Sequence, residues 1–299
     1  MPDRSVSLSP ARSPAAAHVA HAASDLKAAL GESPLWDEAS GLRWLDLTGR
    51  RLCTMDRRGS SRSVALSRGV TAIGLGSGDG ALCAVTTAGF GALDPRTGEV
   101  AEEVTVPLGP GMTMNDGAID ARGRCWAGAA TRDGQRRSPL FRLADGAVSV
   151  RAGGIGMSNG IDWSPDGSAM YHADSTAGTV VAWRYDPAAG SIREPRTLLS
   201  VPGGVGRPDG LTVDAGGCVW LAVWGAGQVW QLSPADGRVL ATVSVPTPLT
   251  TSCAFGGAEL STLYITTAER DGDPRSGLLY AARGLAAGRP PHRLAGPAS

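Results

Sequence analysis

Val, Leu, Ile, Trp and Tyr fall in short runs that alternate with Gly, Asp and Pro, and helical periodicity is nearly absent. That pattern predicts strands joined by turns. Asp-Gly steps at 79, 116, 133, 145, 166, 209, 236 and 271 punctuate it, and several are expected to make tight turns. One feature also repeats. Gly41-Leu-Arg-Trp44 is echoed by Gly80-Ala-Leu-Cys83, Gly123-Arg-Cys-Trp126, Gly167-Ser-Ala-Met-Tyr171, Gly217-Cys-Val-Trp220 and Ser261-Thr-Leu-Tyr264. The last residues of these echoes are separated by 39, 43, 45, 49 and 44 positions. A period of roughly 40–50 residues with several short strands in each marks a β-propeller. Six periods predict an all-β, six-bladed propeller with four antiparallel strands per blade. A solenoid would leave end edges bare, whereas a propeller closes on itself.

In the first blade, 35–36 should begin the inner strand, 42–47 form the second and 51–56 the third. In the fourth blade the strands are expected at 161–164, 168–173, 179–185 and 196–200. Residues 26–30 precede the first inner strand and are expected to close the ring by completing the last blade. Residues 1–23, rich in Ala, Ser and Pro, read as a flexible N-terminal tail, and 24–299 as one propeller domain. Two connections carry arginines and should rise beside the ligand: 130–139, with Arg132, Arg136 and Arg137, and 269–277, with Arg270 and Arg275.

Four polar steps recur within this frame: Glu32-Ser33-Pro34, Asn115-Asp116-Gly117, Asn159-Gly160 and Asp209-Gly210. They precede Trp44, Trp126, Tyr171 and Trp220 by 12, 11, 12 and 11 residues. Similar offsets in successive repeats place them at one level around the propeller axis, just ahead of the inner strands. The same count puts Ala72 and Cys253 at that level in the other two blades. Two carboxylates and two carboxamides converging on an axis make a hard-oxygen metal site, because adjacent carboxylates repel unless a cation lies between them.

Composition narrows the function classes. The chain has 28 basic and 28 acidic residues and no basic stripe, which argues against nucleic acid as a partner. No apolar run reaches the roughly 18 residues of a membrane span. A cytoplasmic monomer or weak homodimer acting on a small molecule is expected. The five cysteines are odd in number and lack C-x-x-C spacing, so they read as small buried hydrophobes. Gly156-Met-Ser158-Asn-Gly160 fits G-x-S-x-G, but a strand follows it where a nucleophile elbow needs a helix. Gly74-Leu-Gly-Ser-Gly-Asp-Gly80 likewise lacks the helix that a phosphate loop requires.

Several stretches together resemble the SMP-30/gluconolactonase/luciferin-regenerating-enzyme (regucalcin-like) family. They are Leu30-Gly-Glu-Ser-Pro-Leu-Trp-Asp37, Met114-Asn-Asp-Gly117 with Gly123-Arg-Cys-Trp-Ala-Gly128, Ser158-Asn-Gly160 with Trp163-Ser-Pro-Asp-Gly167, Arg207-Pro-Asp-Gly-Leu211, and Ala254-Phe-Gly-Gly257 with Leu263-Tyr-Ile-Thr-Thr-Ala268. The resemblance implies a six-bladed propeller with one divalent cation, calcium ahead of Mg, Mn or Zn, held by Glu32, Asn159 and Asp209. It implies a lactonase in which Asp209 doubles as general base and Asn115 contacts water or substrate. Many sugar-lactonase members carry Arg where this chain has Thr113, and Thr cannot donate paired hydrogen bonds to a substrate as Arg does. Thr113 therefore marks an altered substrate pocket, to which Arg132 could return positive charge and Met112, Met114 and Met157 an apolar wall. Hydrolysis of a lactone or related cyclic ester is the first reading. A metal-dependent cyclase or isomerase using the same site is the alternative from another reaction class, and a non-catalytic binding propeller is the third.

Overall fold

The computed structural model describes residues 16–296 except 79, 132 and 136. It is built almost wholly of strands, with one 3-10 turn at Ala258–Leu260. Six sheets form the blades of a propeller. Their inner strands are Gly31–Asp37, Val70–Leu75, Met112–Ile119, Ser158–Trp163, Arg207–Val213 and Thr250–Gly256. Consecutive antiparallel strands then step outward, as in blade one through Gly41–Asp46, Arg51–Met55 and Ser61–Ala65.

The inner strands begin earlier than the sequence pattern suggests. The strand Ser158–Trp163 already contains Asn159, and Gly31–Asp37 contains Glu32. The polar steps therefore lie within inner strands and not ahead of them. Asp116-Gly117 and Asp209-Gly210 are mid-strand as well, not turns.

Ring closure also differs from expectation. His21–Ser24 pairs antiparallel with Leu279–Arg283 and supplies the outer strand of blade six, whereas 26–30 only leads into blade one. Ala16–Val19 pairs parallel with Val239–Ser244 as a fifth strand on blade five. Part of the stretch read as a tail thus belongs to two sheets, and 1–15 lie outside the described residues. Small Ala side chains let this segment lie flat on blade edges without the apolar run that would mark it as strand.

Apolar packing follows the blade order. Among the described residues, six clusters of buried side chains fill the six seams between neighbouring blades. The repeat aromatics sit in them: Trp44, Trp126 and Trp220 are at most 1% exposed. Trp126 meets Trp163 and Tyr185 across the seam of blades three and four. Met114 is core filler, 1% exposed, and all five cysteines are free thiols, four of them buried. No helix among the described residues is long and apolar enough to cross a membrane.

After the last strand, the chain crosses the face where inner strands end. Gly288 N–H donates to Leu260 O, Leu294 N–H to Leu75 O and Ala295 N–H to Gly123 O. Arg289 donates to Asp162, Trp163 O and Val213 O on the way. This strap touches blades six, five, four, two and three in turn. Between it and the inner strands lies a cavity of about 150 Å³ lined by Asp116, Asp162, Thr212, Ser252, Arg289 and others.

Candidate functional site

Each inner strand carries an irregularity in its pairing with the second strand. It falls after Glu32, Val70, Met114, Ser158, Pro208 and Thr250. In each case one extra residue is inserted, which is a β-bulge, a device that bends the strand and re-aims side chains. The residues that follow are Ser33, Thr71, Asn115, Asn159, Asp209 and Thr251. All six bear side-chain oxygen. The ring is thus polar in every blade, and Thr71 and Thr251, not Ala72 and Cys253, occupy this step in blades two and six.

Counted from the bulge, Glu32 stands one residue earlier than Asn115, Asn159 and Asp209. Ser33 takes the shared step with φ at 50°, a left-handed backbone turn that is rare for a non-glycine residue. Glu32 nonetheless reaches the same region of the axis, because its carboxylate and those of Asp116 and Asp209 act on one another. Gly210 is required by close approach. A Cβ there would lie 2.1 Å from the Ser252 hydroxyl of blade six.

Burial first, and the Asp116 charge next, push the Glu32 carboxyl up to about 8. Burial raises Asp116 to about 6, against the pull of the Gly117 N–H. Asp209 is raised by burial, then by Glu32 and Asp116, with partial relief from the Gly210 N–H and the Asn159 carboxamide. None of the three acids has an ion-pair partner among the described residues. Asp209 is 7% exposed and its Oδ1 is buried without a hydrogen-bond partner.

Neighbouring groups fix the carboxamides. Asn115 Nδ2 donates to Ser158 O at 2.8 Å, and Asn159 Nδ2 to Ser175 Oγ at 3.1 Å. Ser175 in turn donates to Pro208 O at 2.7 Å. Ser158 points away from the axis and hydrogen-bonds His172 Nε2 at 2.8 Å. Burial holds His172 down at about 4, so this pair is a neutral internal tie. Thr251 bonds Gly31 O at 2.5 Å and braces the backbone next to Glu32.

Thus Glu32, Asn159 and Asp209 gather on the axis with Asn115 beside them, while Thr113 is exposed on the rim. Arg132 and Arg136 lie outside the described residues, and Arg137 is exposed, donating to Gly154 O. Asp116 is the acid that the sequence reading passed over. Its signal was available, since Asn115-Asp116-Gly117 holds a second polar residue where Asn159-Gly160 and Asp209-Gly210 have glycine.

Among the described residues no group of three or more His, Cys, Asp or Glu side chains is arranged to hold a metal ion. The set Glu32, Asn159 and Asp209 contains only two such residues, the third donor being a carboxamide. Its chemistry fits a hard divalent cation: the donors are all oxygen, and the orphaned Asp209 Oδ1 needs a positive partner.

Comparison with known proteins places the chain among relatives. A sequence from Bacillus subtilis (strain 168), "Putative sugar lactone lactonase YvrE", is 34% identical over 285 residues, 91% of this chain and 97% of that one. Regucalcin of Xenopus laevis is 33% identical over 273 residues, covering 86% and 91% of the two chains. A luciferin-regenerating enzyme structure superposes with a TM-score of 0.84 at 27% identity, over 93% of this chain and 99% of the other. The calcium-binding protein regucalcin of Agrobacterium tumefaciens gives 0.85 at 27% identity, over 93% and 98%. The model of the SMP-30/Gluconolactonase/LRE-like region matches residues 30–269, from the strand that carries Glu32 to the end of blade six's second strand. With that span matched and relatives aligned over nearly their full lengths, the chain belongs to the SMP-30/gluconolactonase/LRE-like family.

Proposed function

We propose that this protein hydrolyses a lactone or related cyclic ester at the channel end ringed by Glu32, Asn115, Asn159 and Asp209. The observation that carries the reading is Asp209: a buried carboxylate with one unpartnered oxygen, among two further acids, in a family with members named as lactonases. Glu32, Asn159 and Asp209 would hold one divalent cation, with calcium favoured by an all-oxygen donor set. When bound, the cation would polarise the ester carbonyl and acidify water.

Asp209 acts as the base. It takes a proton from water as the water oxygen bonds to the carbonyl carbon. It returns that proton to the ring oxygen as the ring C–O bond breaks, leaving a hydroxy acid. Without a cation, burial and the neighbouring acids raise its proton affinity; with a cation bound it would fall again and leave Asp209 ionised, as a base must be. Asn115, anchored through Nδ2 to Ser158, keeps its amide oxygen free to accept from a substrate hydroxyl.

The test is a panel of sugar and unsubstituted lactones, followed by acid release and product mass, with chelator and with calcium added back. A product heavier by one water, activity abolished by chelator and restored by calcium, is expected. A product of unchanged mass would point instead to the cyclase or isomerase chemistry. Failure to open any lactone would overturn the reading.

A further inference from the structure

The six inner strands contain a single basic residue, Arg207. It stands two positions before Asp209, at the start of blade five's inner strand. In a strand, residues two apart share a face and rise by about 6.6 Å. The register carries this past the bulge: Arg207 pairs with Trp224 and the bulged Asp209 lies opposite Ala222, two residues on, so the two share a strand face, with Arg207 nearer the end where the inner strand begins. Thr113 holds the matching place in blade three, two residues before Asn115 and one before the last paired residue, as Arg207 is one before Pro208.

Arg207 is exposed, and its guanidinium makes no hydrogen bond or ion pair with any described residue. Arg270 shares that state, but it stands on the 269–277 connection and not on an inner strand. Arg51 is tied to Asp46, Arg275 to Asp273, Arg137 to Gly154 O and Arg50 to Ser67 O. Three acids on the axis lack a cationic partner among the described residues. Arg207 pairs with none of them, and its five donors are uncommitted.

We propose that Arg207 is a substrate-binding residue, gripping paired oxygen acceptors on the ring or side arm of the lactone while Asp209 works on its carbonyl. This rests on the hydrolase reading. The shared ligand chemistry is two neighbouring oxygens, from adjacent hydroxyls or from a carboxylate, which a planar guanidinium holds by two parallel bonds. The substrate is thus an oxygen-rich lactone, and its grip comes from blade five, not from position 113.

The experiment compares wild type, Arg207→Met and Arg207→Lys on three substrates: a polyhydroxylated lactone, a lactone bearing a carboxylate, and unsubstituted δ-valerolactone. The quantity read is kcat/KM on each oxygen-rich lactone relative to δ-valerolactone. Arg207→Met should lower that ratio about 10–100-fold through KM, as loss of a charge-assisted pair of hydrogen bonds implies. Arg207→Lys should recover part of it. The larger loss identifies hydroxyls or carboxylate as the gripped group. An unchanged ratio on both overturns the assignment while leaving the hydrolase reading intact. If the wild type opens no lactone, that reading fails, and binding of the open-chain polyhydroxy acid is measured by calorimetry instead. Affinity unaffected by Arg207→Met, or no binding at all, then overturns the assignment too.

Discussion

Glu32, Asp116 and Asp209 press on one another in a buried space, yet their substitutions should separate cleanly. Glu32→Gln deletes one of two charges in the proposed donor set, so calcium affinity should fall while excess calcium restores most of the rate. Asp209→Asn keeps the shape and one donor oxygen but removes the proton acceptor. Saturating calcium should then restore occupancy and leave kcat down by about 10²–10⁴-fold. Equal recovery of both variants, with occupancy measured independently, would reduce Asp209 to a ligand. Asp116→Asn tests the electrostatics directly. It relieves repulsion among like charges, so in chelator its Tm should match or exceed that of the wild type. A lower Tm in chelator would mean that Asp116 contributes favourable contacts outweighing the repulsion. The common level of Asn115, Asn159 and Asp209 was legible in the sequence because their offsets of 11 or 12 from Trp126, Tyr171 and Trp220 recur from blade to blade. Thr71 and Thr251 were not, since Thr is at home in any strand.

At the scale of the element, the strand corner is the repeating unit. Asp120 directly follows the inner strand of blade three, with no exposure at all. Its carboxylate accepts from Arg124 Nε at 2.7 Å, Trp126 Nε1 at 2.9 Å and the Tyr185 hydroxyl at 2.6 Å. Tyr185 belongs to blade four, so one carboxylate joins two blades. Asp214 repeats the device with Trp220 Nε1 at 2.8 Å. This recurrence made the repeat visible, but it also misled in blade one. Arg43 pairs with the first residue after the bulge, as Ala127 does in blade three, so Trp44 and Trp126 stand two residues out of step. The shorter first turn cancels that displacement: an offset of 11 from Trp44, as in blades three and five, lands on Ser33, whereas the offset of 12 found in blade four lands on Glu32, one residue before the bulge step. Burial alone would raise the Asp120 carboxyl, but bonds from Tyr185, Trp126 and Arg124 outweigh it and hold it below the ordinary 3.8. A lowered folded pKa contributes stability that is present above the unfolded value and lost as pH falls through the folded one. Asp120→Asn should cost about 3 kcal/mol near neutrality by breaking a buried charged network. The Tm gap to wild type should hold from pH 8 to pH 5 and narrow below about pH 4. A gap independent of pH would show that the carboxylate's charge is not what stabilises this corner.

For the whole molecule, the two chain ends do the closing. His21–Ser24 completes blade six, and the strap after the last strand covers the far mouth of the channel. Neither was legible in the sequence. The N-terminal strands are rich in Ala with little apolar signal, and the strap has no periodicity because it crosses blades and pairs with none for long. Its anchor is Arg289, whose Nη2 donates to Asp162 Oδ1 at 2.9 Å and to Trp163 O at 2.8 Å. Both side chains of this pair are only 20% exposed. Asp162 is otherwise engaged by the N–H groups of Trp163 and Val213, so the arginine joins a network that links blades four and five. Arg289→Ala removes the cationic member of that network, a loss of about 2–3 kcal/mol, which for a domain of this size lowers Tm by roughly 4–8 °C. Local opening should precede global unfolding, because the strap adds few backbone bonds of its own. In hydrogen exchange, the amides of Leu294 and Ala295, bonded to Leu75 O and Gly123 O, should therefore lose protection in Arg289→Ala while second-strand amides such as Leu221 keep theirs. If the strap amides keep wild-type protection, Arg289 is not the anchor, and the seal is held by backbone contacts such as those at Ala287, Gly288, Leu294 and Ala295.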